Sequence, residues 1–448
     1  MIQSRSCRRS WNLKLGSILL ALTVAGPLTS PATFACGQQT PAELLEQLIS
    51  DDEAVRDATI TRLRDEGPAG LEQALQAAKI AIDASRRYLS AEEHQVAYPR
   101  AARAATAVDR VAGQYLAVRT GLYWYTDQAA AEKAARESGR PLLSLRLLGQ
   151  LTDQESCANS RFFRTLLYVD PDIAKIMRDK FVLHWQSVRP VPIMTVDFGN
   201  GRTVRRPITG NSAHYVLTAD GEVIDCLPGL YTPLAFREWL EKTHALATEI
   251  SSLDPPARAT RIREYHMQEA ERVRQASAAL LSPQNVDIAA VVVPAHINTG
   301  AVEANRRTFS KGRAEGPALQ AFTGAVNAAA VENVDWAAVA EATADAVVFS
   351  PNAYSAMTHE TGQDCQRQNS PMVVKLRRTV LADQLRNEHV LHQQLHSWFA
   401  VATELPGIDS LNRRVYDELF HMPAEDPWAG LIPSETYSAL PAPREQAP

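Results

Sequence analysis

Two groups of residues have types and spacings that suit chemistry. The first lies in Glu388-His389-Val390-Leu391-His392-Gln393-Gln394-Leu395-His396, where His389, His392 and His396 recur at three and four residues. That spacing places them on one face of a helix, continuing the stripe of Leu381 and Leu385. Three imidazoles so placed can help to bind zinc, another metal or haem, with His359 and Glu360 as additional ligands. The same segment also reads as a helix packed through Leu391, Leu395 and Trp398, turning its histidines to water or to buried carboxylates; no HExxH accompanies the cluster. The second group is the cysteines. If a leader is cleaved after Ala35, the mature chain keeps Cys36, Cys157, Cys226 and Cys365, too few and too scattered for a disulfide framework. With no CxxC pair anywhere, structural zinc on thiolates is disfavoured.

Composition narrows the classes further. The 448 residues are 45% hydrophobic and 22% charged with a formal net charge of -5, so no basic field exists to attract nucleic acid. There is no GxSxG, no phosphate loop and no dinucleotide fingerprint. Residues 1–35 read as an export signal: Arg5, Arg8, Arg9 and Lys14 precede the apolar run Leu15 to Ala25, followed by Thr33-Phe34-Ala35 as a small-residue cleavage site. A periplasmic or cell-envelope location is therefore expected, with membrane contact only if Cys36 carries a lipid.

The elements that must position these side chains follow from periodicity. Residues 36–120 are helical, with Leu44, Leu45, Leu48, Ile60, Leu63, Leu71 and Leu75 reading as one helical hairpin that packs against the next domain. Thr126-Asp127 caps a helix through Glu137, and Leu142 to Leu148 is a buried strand. A helix from Cys157 to Lys180 and a strand from Phe181 to Val188 follow. Two hairpins come next, turning at Gly199-Asn200-Gly201 and at Ala219-Asp220-Gly221, and Thr232-Pro233 opens a helix to Leu246. Residues 251–448 are helical, most clearly at 335–349, 372–399 and 409–420, with a Pro-rich tail from Pro423.

Within residues 121–250 the opening Trp124, the alanine-rich helix, Gly139-Arg140-Pro141 before a strand and the Phe181-Val182 strand resemble a thioredoxin-like domain. Thr218-Ala219-Asp220-Gly221-Glu222-Val223-Ile224 is similar to that family's closing hairpin. The resemblance implies an α/β thioredoxin-like central domain, a mixed sheet between helices, with all-α regions on either side. It also implies that Cys157, in Cys157-Ala158-Asn159-Ser160, occupies the redox position at a helix N-terminus, where backbone N–H groups and the helix dipole favour thiolate. Ser160 stands in place of the second cysteine, so a dithiol cycle fails on stoichiometry, while a hydroxyl can still hydrogen-bond a thiolate. Arg161 adds positive charge nearby, and Ser212 lies where the family has its cis-proline.

Arg146 near the end of the first strand, His184 in the next and His214 after the proline position form a further candidate group, because ligands of open α/β sheets collect at the carboxyl ends of strands. A nearby imidazole would activate Cys157. Three functions follow as expectations: a monothiol redox or thiol-binding role at Cys157, a non-catalytic binding module that docks an envelope partner, or a metal or haem protein acting through the histidine helix.

Overall fold

The computed structural model describes residues 39–87, 90–281, 310, 334–341, 343–365 and 370–425. The signal segment, Cys36 and the tail from residue 426 lie outside the described residues. Where one hairpin was expected at the N-terminus, five helices form: α1 (Pro41–Leu48), α2 (Glu53–Asp65), α3 (Pro68–Ser85), α4 (Ala91–Ala112) and α5 (Ala117–Thr120). Local caps that the apolar stripe does not reveal set the breaks. Asp52 accepts from Ala54 and Val55, Gly67 turns at φ +67° before Pro68, and Ser90 with Glu93 closes a capping box. These helices bury a core of their own around Leu48, Leu63, Ala74, Ala104 and Val108. They dock on the rest of the chain through Trp185 Nε1, which donates to the Gly113 carbonyl at 2.7 Å, and through Trp124 Nε1, which donates to Gln114 Oε1 at 2.6 Å.

The centre is a mixed four-stranded sheet among helices. Helix α6 (Gln128–Ser138) is capped by Asp127 and leads into β1 (Leu142–Leu148). A crossover made of α7 (Ala158–Phe162), a π-helical turn (Phe163–Leu167) and α8 (Pro171–Lys180) returns the chain to β2 (Val182–Arg189), parallel to β1. The single helix expected over 157–180 is thus interrupted. Asp170 caps a new start and Pro171 occupies its first turn, where the missing N–H is harmless. After a separate hairpin of β3 (Ile193–Asp197) and β4 (Thr203–Pro207), β5 (Ser212–Leu217) pairs antiparallel with β1, and β6 (Val223–Pro228) with β5, giving the order β2-β1-β5-β6. A lone parallel bridge from Tyr125 to His184 extends the β2 edge.

Helix α9 (Pro233–Ile250), capped by Thr232, closes this section. The described C-terminal helices are α10 (Pro255–Leu281), α11 (Trp336–Glu341), α12 (Pro351–Thr361), α13 (Pro371–Arg386), α14 (Gln393–Ala400) and α15 (Ile408–Arg414). The helix expected to run to Phe349 ends at Glu341, and Ser350 caps a new one that begins at Pro351. A π-helical turn (Asn387–His392) joins α13 to α14, and another (Val415–Leu419) follows α15. Their apolar residues share one core with the sheet. Among the described residues no helix is long and apolar enough to cross a membrane.

Register decides which side chains can meet. Ser144 stands opposite His184 and Tyr215, and Arg146 opposite Gln186 and Ala213, so these project from one face of the sheet. Leu145 stands opposite His214, and Val216 opposite Asp225, so His214 and Asp225 belong to the other face, with Ser212.

Candidate functional site

Cys157 is the N-cap residue of α7 and has no exposed surface. Its Sγ lies 3.0 Å from Ser212 Oγ and 3.5 Å from Ser160 Oγ. Ser160 donates instead to Ser156 Oγ and to the Cys157 carbonyl, at 2.7 and 2.8 Å. The loop before β5 closes over the thiol: a Cβ on Gly210, whose φ is +146°, would fall 2.4 Å from Cys157 Cβ. Tyr416, in the last π turn, donates to the Asn211 carbonyl at 2.8 Å and clamps that loop from outside. The long stretch between β1 and Cys157 is held by Arg164, which donates to the carbonyls of Leu151 and Asp153 and to Ser156 Oγ. Burial pushes the Arg164 guanidinium down to about 10, still cationic at neutral pH. Cys157 and Ser160 therefore meet as the sequence suggests, but inside the protein. Arg161 points elsewhere and lines a cleft.

The sheet separates the other candidate group. His184 accepts or donates to Ser144 Oγ at 2.9 Å, and Arg146 bonds Gln186 and, at 3.0 Å, Gln128 Oε1, all on the face away from Cys157. His214 shares the Cys157 face but its Nε2 pairs with Tyr168 OH at 2.6 Å among Phe163, Phe236 and Trp239. Burial lowers His184 to about 4, with Arg146 adding to the effect, and lowers His214 to about 3, so both are neutral core groups at pH 7. Cys157 and Cys226 are both free thiols.

The histidine helix divides, and the physical reason is the π turn. Its wider i→i+5 winding breaks the three-and-four spacing expected to align the residues. His389 stacks on Trp336 and pairs with Ser277 Oγ at 2.7 Å, apart from the other two. His359 and Glu360 pair with each other at 3.0 Å. His392 and His396 instead turn inward, their ring centres 4.0 Å apart and their planes tilted by 36°, toward a residue without a role in the sequence pattern: Asp225 of the edge strand β6. Asp225 is fully buried and accepts from the Cys226 amide, Trp239 Nε1, Tyr265 OH and His392 Nε2 at 2.8, 3.0, 2.8 and 3.2 Å. The signal was present in sequence, since Val223-Ile224-Asp225-Cys226-Leu227 sets one carboxylate inside an otherwise buried strand, and such a charge demands a partner.

His392 Nδ1 faces Glu388 Oε2 at 3.0 Å, and Glu388 is bonded by Arg272, which also binds Glu269. Burial alone lowers an imidazole, but Asp225 and Glu388 outweigh it and push His392 up to about 10, so it stands as a cation between two carboxylates. Burial would raise both carboxyls; the neighbouring cations hold them well below the usual range. Next to this ion group, His266 Nε2 meets the Ile224 carbonyl at 2.9 Å and its Nδ1 meets His396 Nδ1 at 2.8 Å. One nitrogen of each of these two imidazoles and one Asp225 oxygen lie within 4.8 Å of one another.

A third feature is a cleft of about 850 Å³ between α7, β4, α12 and α13. Arg161, Arg205, Arg206 and Lys375 line it against the carboxylates of Glu155 and Glu360, over an apolar floor that includes Phe162, Leu166 and Met372. Compared with known proteins, the chain matches no family model, no curated protein and no solved structure.

Proposed function

We propose that this protein is an exported binding protein built on a divergent thioredoxin-like core, whose cysteine is a packed residue rather than a redox centre. The observation that carries this reading is the burial of Cys157: no exposed surface, Ser212 Oγ at 3.0 Å, Gly210 pressed on its Cβ, and the covering loop clamped by Tyr416. A thiol must be reached by its partner sulfur before exchange, so a monothiol cycle has no approach here. Support for the thioredoxin-like core comes from the parallel β1–β2 pair with its helical crossover, the antiparallel β5–β6 hairpin joined to β1, and the closing helix α9. Export rests on the basic and apolar leader at residues 1–35.

The cleft beside α7 is the binding surface in this reading. Four cationic side chains against two carboxylates, over Phe162, Leu166 and Met372, suit a segment of an envelope partner that carries acidic and apolar side chains. Capture of partners from an envelope extract tests it. The same partner is expected with wild type and Cys157→Ser, and its loss with the double reversal Arg206→Glu, Lys375→Glu. A partner held by a disulfide and lost with Cys157→Ser overturns the binding reading in favour of thiol chemistry.

A further inference from the structure

We propose that Asp225, His266 and His396 form a buried site for one divalent transition metal ion, with zinc the best fit to a two-histidine, one-carboxylate donor set. The site lies on the same face of the sheet as the Cys157 pocket, at the edge strand, and involves none of the residues of the cleft.

The arrangement of hydrogen bonds leads to this inference. A carbonyl oxygen only accepts, so the 2.9 Å contact with Ile224 places a proton on His266 Nε2 and leaves a lone pair on Nδ1. A histidine ligand held at its remote nitrogen by a backbone carbonyl is the usual way proteins aim an imidazole at a metal. Asp225 is also held in place: Trp239 Nε1 and Tyr265 OH bind Oδ2, while Oδ1 accepts from the Cys226 amide and faces His392. His396 supplies the independent observation. Its ring has no exposed surface, its Nδ1 faces His266 Nδ1, and its Nε2 is buried without a hydrogen-bond partner among the described residues. The 2.8 Å contact between the two Nδ1 atoms needs one proton, and moving that proton to the unpaired His396 Nε2 leaves both Nδ1 lone pairs facing one point, an arrangement that calls for a cation. A cation held within the 4.8 Å group gives the imidazole lone pairs and the carboxylate a common partner.

The surroundings decide the class of site. Phe399 stacks on His266 at 4.1 Å, Tyr265 stands edge-on to both imidazoles, and His392 flanks the carboxylate. Every side is occupied by protein, so the ion joins β6, α10 and α14 in the manner of a closed structural centre rather than presenting an open position to substrate. His392 is not among the donors, because both of its ring nitrogens are held by carboxylates, Asp225 and Glu388.

The test uses the full chain without an affinity tag, stripped with chelator and titrated with zinc alone by calorimetry and with cobalt alone by visible absorption. One ion per chain is expected, with the cobalt spectrum of a low-coordinate nitrogen and oxygen site and a higher melting temperature at saturating zinc. His266→Ala and His396→Ala should each weaken binding by about 100-fold or more, while His389→Ala leaves it unchanged. His396→Gln, which keeps the volume, covers failure of the alanine variant to fold. Wild-type protein that is folded by circular dichroism yet binds no zinc overturns the proposal. So does uptake that survives both His266 and His396 substitutions, or is lost with His389→Ala.

Discussion

The Cys157 pocket and the Asp225 centre occupy the same face of one sheet, and they bury polar atoms by opposite means. Around Cys157 the side chains that touch the sulfur are neutral and small, with Ser160, Ser212 and Gly210 closing on it by shape and the Arg164 cation held one residue away on Ser156 Oγ. Around Asp225 full charges are buried, and each is answered: Asp225 by His392, His392 by Glu388, Glu388 by Arg272. The difference teaches that a sequence resemblance centred on a cysteine can point at the quieter of two centres. A pocket held by packing tolerates a change of chemistry but not of volume; an ion group tolerates neither the loss of a partner nor the loss of its charge.

Four measurements break or sharpen this contrast. The largest effect is expected from Asp225→Asn, which leaves His392 and the donors of Trp239 and Tyr265 facing a neutral amide; urea unfolding of chelated protein should show a loss of about 3–5 kcal/mol. A loss below 1 kcal/mol would mean that the charges are already solvated. Next comes Gly210→Ala. Its φ of +146° strains any side chain, and its new Cβ meets Cys157 Cβ at 2.4 Å, so a loss of about 3 kcal/mol is expected by the same method. Pairing it with Cys157→Gly should restore part of the stability, since the clash is between those two carbons; no recovery would place the strain in the backbone alone.

The third measurement uses pH. His214 and His184 titrate at about 3 and about 4 in the folded protein, against the 6.5 of an unperturbed imidazole. The unfolded chain therefore takes up protons first as pH falls. Their contribution to stability is complete above pH 6.5 and declines as the pH drops toward the folded values. Between pH 6.5 and 5 the decline should be about 2 kcal/mol for each histidine, visible as a fall in melting temperature that His214→Gln reduces. A flat profile would show that neither imidazole is held neutral. The smallest effect is expected from Cys157→Ser, about 1 kcal/mol, because a hydroxyl can keep the Ser212 contact and only sulfur packing is lost. In the same series, maleimide should label Cys157 in denaturant but not in the native protein.

Much of the central section was legible because its signals are local. The strand at 142–148, both hairpin turns and the Thr232-Pro233 helix start are written in runs of a few residues, and they form where those runs predict. The N-terminal helices were misjudged because apolar spacing passes through Asp52 and Ser90, while capping is decided by a single side chain. The candidate site was half legible. Cys157 and Ser160 do meet, as adjacent turns of one helix must. Arg146 and His214 were placed together although β1 and β5 carry them on opposite faces, a matter of register that no short window contains. Asp225 was missed because its partners lie up to 167 positions further along the chain, and His389 was misassigned because nothing in its neighbours announces a π turn.

The two π turns of the C-terminal section tie the end of the chain to its middle. Tyr416 reaches back 205 positions to the loop that covers Cys157 and His392 reaches back 167 to Asp225. Contacts of such separation carry the entropic cost of closing long loops. Without residues 387–419, Asp225 would be a carboxylate in an edge strand lacking its cation and the cysteine loop would have no clamp. The section that reads as a domain at 121–250 accordingly shares its core and its buried hydrogen bonds with the end of the chain.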